Sequence, residues 1–129
     1  MSRAIVVGET AEQRDVVVAR LVELGRAAEA RSDALGVETL DAGSVVVVLA
    51  SEELPDIAIE VMRAGHSLVT TAPGPHRGFQ PDIEFLHART PEEAAERANT
   101  ALVHPDALRM TRVIAGVIAR RCHPGGHDG

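Results

Sequence analysis

At 129 residues, with 45% apolar and 25% charged residues, the chain has room for one domain with a real core. Its net charge of −6 argues against nucleic acid and anionic membrane surfaces as partners. Aromatic residues make up only 2%, Phe79 and Phe85 with no Tyr or Trp, so base-stacking platforms are not expected and the core must be built of Val, Leu, Ile and Ala.

No stretch approaches the roughly 20 apolar residues of a membrane span. The opening residues run straight into an apolar strand pattern, so no signal peptide is expected. Cys122 is the one cysteine, which allows no internal disulfide and suits a reducing cytoplasm. All 13 basic residues are Arg. The absence of Lys excludes a P-loop lysine, a Schiff-base lysine and a lysine general base.

Ala4 to Val7 reads as the first strand, ending at Gly8. Thr10, with Gln13 three residues on, starts a helix whose apolar face is Val16, Val17, Leu21, Val22 and Leu24. Ala27 to Ala30 reads as a short second strand and Ser32 to Ala42 as a short helix. Val45 to Leu49 is an unbroken apolar strand of the kind buried on both faces. Ser51 is a helix N-cap candidate, with Pro55 in the first turn. Ile57, Ala58, Val61 and Met62, with Leu54 a turn earlier, share a stripe that stops at Gly65. Ser67 to Thr71 is the next strand.

Residues 72–78 form a Pro- and Gly-rich loop, and a further strand is predicted over Ile83 to Leu86. Thr90, Pro91 and Glu93 form a strong helix start. The last helix, Asp106 to Arg121, carries Met110, Val113, Ile114, Val117 and Ile118 on one stripe, which would bury against the domain, a second copy or a protein partner. Strand and helix alternate about five times. The expected fold is therefore one three-layer α/β domain over residues 1–121, Rossmann- or flavodoxin-like. It has a mostly parallel five-stranded sheet, helices on both faces and an extra C-terminal helix, followed by a flexible tail over 122–129.

The segment from Ser51 through Glu52, Glu53, Leu54, Pro55 and Glu60 to Met62, Arg63, Ala64 and Gly65, with the strand Leu68-Val69-Thr70, resembles the nucleotide-sugar-binding half of retaining GT-B-fold glycosyltransferases. Their pattern sets two glutamates eight apart in the same Ser, Pro and Ala-Gly frame. The strand and helix from Ile5 to Gly25 and the closing helices around Thr90 and His104 extend the likeness weakly over most of the chain. The resemblance implies that Glu52 contacts a donor sugar, Glu60 binds ribose hydroxyls, and backbone N–H groups at the helix start hold a diphosphate. A helix N-terminus favours anions and a carboxylate can accept two hydroxyl donors. Ligand-binding residues would then be Gly8, Ser51, Glu52, Glu53, Leu54, Glu60 and Thr70, with a nucleotide or nucleotide sugar as ligand.

Three departures stand out: Glu53 replaces the family's glycine, the Arg and Lys that family members carry for the phosphates have no counterpart, and the acceptor half does not fit in this length. No catalytic residue, cofactor or metal is assigned, and a module inactive by itself is expected. The same acids also fit a solvated helix start and outer face, and Thr70 and Thr71 also fit capping or packing.

The order of elements is also similar to response-regulator receiver domains. Those need acids after the first strand, an Asp ending the third and a Lys after the fifth. Here the places hold Gly8-Glu9, Ala50-Ser51 and His87-Ala88, so only a non-phosphorylated interaction or regulatory module fits. Strand order is expected to separate the two likenesses.

Of the six histidines, His66, His76 and His87 are expected near one sheet edge. The tail cluster Cys122, His123, His127 and Asp128 matches no structural zinc spacing. Ser51, His76 and Asp82 lack a nucleophile-elbow sequence, and no G-x-G-x-x-G follows the first strand.

Overall fold

A computed structural model of the chain describes residues 3–8, 10–31, 44–74, 76 and 78–121. The helix expected over Ser32 to Ala42 and the tail from Cys122 lie outside the described residues. Five strands form one sheet: β1 (Ala4–Gly8), β2 (Ala28–Arg31), β3 (Val45–Leu49), β4 (Ser67–Thr70) and β5 (Leu86–His87). Four α-helices are described: α1 (Ala11–Glu23), α2 (Asp56–Arg63), α3 (Pro91–Val103) and α4 (Arg109–Arg120), with a 3-10 turn at Pro105–Leu108.

The strand order is β2-β1-β3-β4-β5 and every pairing is parallel. This is the flavodoxin-like order. The Rossmann order 3-2-1-4-5-6 leaves the same neighbours when its third strand is omitted. Strand order is therefore common to both likenesses and does not divide them.

The pleat divides the strands between two apolar layers. Ile5, Val7, Val46, Val48 and Leu68 face α2 and the inner side of α4, with Phe79 and Phe85 beside them. Val6, Val45, Val47, Leu49 and Val69 face α1 and the alanine-lined side of α3. Because β3 is covered on both faces, all five of its residues are buried.

Local signals fix most boundaries. Thr10 Oγ accepts from the Gln13 N–H at 3.2 Å and caps α1. Thr90 Oγ accepts from the Glu93 N–H at 3.1 Å, with Pro91 opening α3. The Glu93 carboxylate reaches back to the N–H of Arg89, one residue before the cap, at 2.7 Å.

Three expectations are corrected. Ser51 does not cap α2, which begins at Asp56 with Pro55 as N-cap and no side-chain cap bond. Ser51 to Glu53 form an exposed bend instead. The fifth strand is Leu86–His87, not Ile83 to Leu86. Gln80 O accepts from the N–H groups of Ile83 and Glu84, Asp82 adopts φ 64°, and Ile83 is left 50% exposed in a turn. The last helix starts at Arg109, because Pro105–Leu108 tightens into the 3-10 turn.

Candidate functional site at the carboxyl edge of the sheet

In an open parallel sheet, ligands sit beyond the carboxyl ends of the strands, where connections leave in opposite directions. Here that point lies between β1 and β3, since β2 flanks β1 on one side and β3–β5 continue on the other. Gly8 ends β1 directly opposite Leu49 of β3. The chain then leaves β3 through Ala50 into the exposed residues Ser51, Glu52 and Glu53.

The turn is held from β4. Thr71 Oγ accepts from the Ala50 N–H and donates to the Ala50 carbonyl, both at 3.0 Å. One hydroxyl thus closes the donor and acceptor of the first residue beyond β3. Thr70 Oγ donates to Val48 O at 2.7 Å and accepts from the Ala72 N–H at 3.1 Å, and Thr70 is fully buried. Both threonines therefore shape the crevice from behind through the backbone.

Leu54 is also fully buried and packs into the α2 layer, so its side chain anchors the turn. Gly8 is required by packing: a Cβ there would come 2.8 Å from Leu49 Cβ. Its carbonyl accepts from Arg14 Nη1 at 2.6 Å, which brings a guanidinium from the first turn of α1 to the end of β1. Arg14 was not legible as a site residue, because its i+4 relation to Thr10 says nothing of where β1 ends.

Glu60 is exposed on the outer face of α2, one turn beyond Asp56. Of the seven expected ligand residues, Gly8, Ser51, Glu52, Glu53, Leu54 and Thr70 gather at the carboxyl ends of β1, β3 and β4. Glu60 stands apart from them along the helix. Of the exposed turn residues Glu52 and Glu53 are acidic, and Arg14 is the nearby cation.

Further along the same edge, His76 Nε2–H and His87 Nε2–H both donate to the Ala72 carbonyl, at 2.8 and 3.0 Å. Their rings lie 5.6 Å apart, and His76 stacks at a tilt on Phe85 at 5.0 Å. His66 precedes β4 and so belongs to the opposite end of the sheet. Asp82 takes the His87 N–H and Arg97, so Ser51, His76 and Asp82 form no relay. Among the described residues no three His, Cys, Asp or Glu side chains converge on a metal position. No described helix is long and apolar enough to cross a membrane. No protein-family model, curated protein or solved structure matches the chain.

Proposed function

We propose that the chain is a glycosyltransferase-like donor-binding module that takes a nucleotide or nucleotide sugar in the β1/β3 crevice and is inactive alone. The observation that carries this is the Ser51–Glu53 turn, exposed at the topological switch point and fixed there by Thr71. Glu52 would accept sugar hydroxyls and Glu60 ribose hydroxyls. The N–H groups at the start of α2, which lacks a side-chain cap, would face the diphosphate.

The test is thermal shift of the purified chain with nucleoside diphosphates and nucleotide sugars at about millimolar concentration. A ligand bound only by the folded state raises the melting temperature by mass action. A shift with one nucleotide family, lost in Glu52→Ala plus Glu60→Ala, supports the reading. No shift with any of them overturns it.

A second reading, a regulatory module of receiver topology without phosphoryl chemistry, fits the same strand order equally. It gains if the nucleotide screen is silent.

A further inference from the structure

The last helix is inverted relative to an ordinary surface helix. Its small residues Ala115, Gly116 and Ala119 face inward and are buried. Its large apolar residues face solvent: Met110 is 67% exposed, Val113 54%, Ile114 39% and Val117 40%. Only Ile118 of the apolar stripe packs against the core. Along the stripe runs an open groove of about 280 Å³, lined by Gly65, Gly116, Val113 and Val117 together with Arg109, Arg112 and Arg120.

Charge is segregated to the same place. Residues 109–121 hold four arginines and no acid, leaving nine arginines against 19 acids elsewhere, a net −10. Arg109, Arg120 and Arg121 have no ion-pair partner among the described residues, and Arg112 donates to Pro105 O at 2.9 Å.

We propose that the outer face of α4 docks an acidic amphipathic helix of a partner protein, its apolar ridge on Met110, Val113, Ile114 and Val117 and its carboxylates on the arginine edge. Charge complementarity selects this occupant. A symmetric α4–α4 dimer would set arginine edge against arginine edge. An anionic membrane would have to approach a chain that is otherwise acidic, through a helix with no aromatic anchor, both phenylalanines being buried. The inference is independent of whether the crevice holds a nucleotide.

The experiment uses the full chain and two synthetic helical peptides of about 18 residues. Both carry a leucine ridge at i, i+3, i+4 and i+7, flanked by Glu in one and by Lys in the other. Fluorescence anisotropy at low salt is expected to show the Glu peptide bound at least about tenfold more tightly than the Lys peptide, the gap narrowing in about 0.3 M salt. Val113→Ser plus Val117→Ser should weaken the Glu peptide by about tenfold. Arg109→Glu plus Arg120→Glu should reverse the preference, a gain of Lys-peptide binding that unfolding cannot imitate. Absence of binding to either peptide overturns the proposal, as does equal binding to both. It is also overturned by self-association that Val113→Ser plus Val117→Ser abolishes in sedimentation, or by flotation with phosphatidylserine vesicles without any peptide preference.

Discussion

Thr71 Oγ bridges both backbone groups of Ala50, accepting from its N–H and donating to its carbonyl at 3.0 Å. This joins the residue after β4 to the residue after β3, one step beyond the last ladder bond, Thr71 N–H to Val48 O at 3.3 Å. The Ser51–Glu53 turn therefore departs from a fixed point. Thr71→Val keeps the shape and removes both bonds, leaving two half-buried backbone groups without their partner. Such a loss costs about 1–3 kcal/mol. Urea unfolding should show that fall for Thr71→Val and little change for Thr71→Ser. If a nucleotide ligand is found, Thr71→Val should also weaken it without Thr71 touching it. Equal stability of the two variants would remove the bridge from the account.

Gly8 closes β1 at the crevice, and its necessity is steric. A methyl group would meet Leu49 Cβ at 2.8 Å across the β1–β3 pair. Gly8→Ala should destabilise by about 1–3 kcal/mol, the ordinary range for overpacking. Leu49→Ala should not rescue it, because alanine keeps the offending Cβ, whereas Leu49→Gly in the same background should relieve the clash at its own cavity cost. A double-mutant cycle from denaturant midpoints reads this coupling. An additive cycle would show that β1 and β3 do not approach so closely.

Glu29 on β2 links sheet stability to pH. Its hydrogen bond from Arg31 Nε at 2.7 Å, with the charges of Arg31 and of Arg3 at 3.4 Å, holds its carboxyl below the ordinary range. A lowered folded-state value means the stabilisation is present above the unfolded carboxylate value, about 4.3, and is lost as pH falls through the folded one. The contribution is small, since the pair is exposed and screened. Wild type should therefore exceed Glu29→Gln in urea midpoint at pH 7 in low salt, and the gap should close on acidification below about pH 4. A gap that widened on acidification would contradict the sign.

The legible parts of the fold were those where local chemistry and burial agree. Val45 to Leu49 is one strand because five consecutive apolar residues suit a central parallel position. Thr90 caps α3 because a hydroxyl, a proline and an acid stand at the places the helix start requires. Ser51 looked like a cap for the same compositional reason, but Leu54 must first drop into the core, so the helix waits until Asp56. Ile83 to Leu86 looked like a strand, yet Glu84 Oε1 takes the Gln80 N–H at 2.7 Å and buries its carboxylate in a turn. The stripe on α4 was legible from its spacing. Periodicity marks an apolar face and cannot say which side of a helix the domain occupies. Arg14 was invisible because a lone arginine in a first turn has no signature until the strand end beside it is known.

α4 sets large against small residues in a way that can be tested directly. Ala115 and Ala119 are 1% and 0% exposed, and Arg63 of α2 donates to Ala119 O at 3.2 Å. A Cβ on Gly116 would stand 3.4 Å from Met62 O, so α4 lies close on α2. Ala119→Leu adds three carbons where no space exists, and should cost about 1–3 kcal/mol as α4 is pushed outward. Met110→Ser, at a 67% exposed position, should change stability by no more than about 0.5 kcal/mol. The usual rule would rank these the other way, with a lost methionine harmful and an enlarged alanine mild. Urea unfolding of the two variants decides between them. A destabilised Met110→Ser with a neutral Ala119→Leu would mean that α4 turns its large apolar residues inward, and the docking face would disappear with that result.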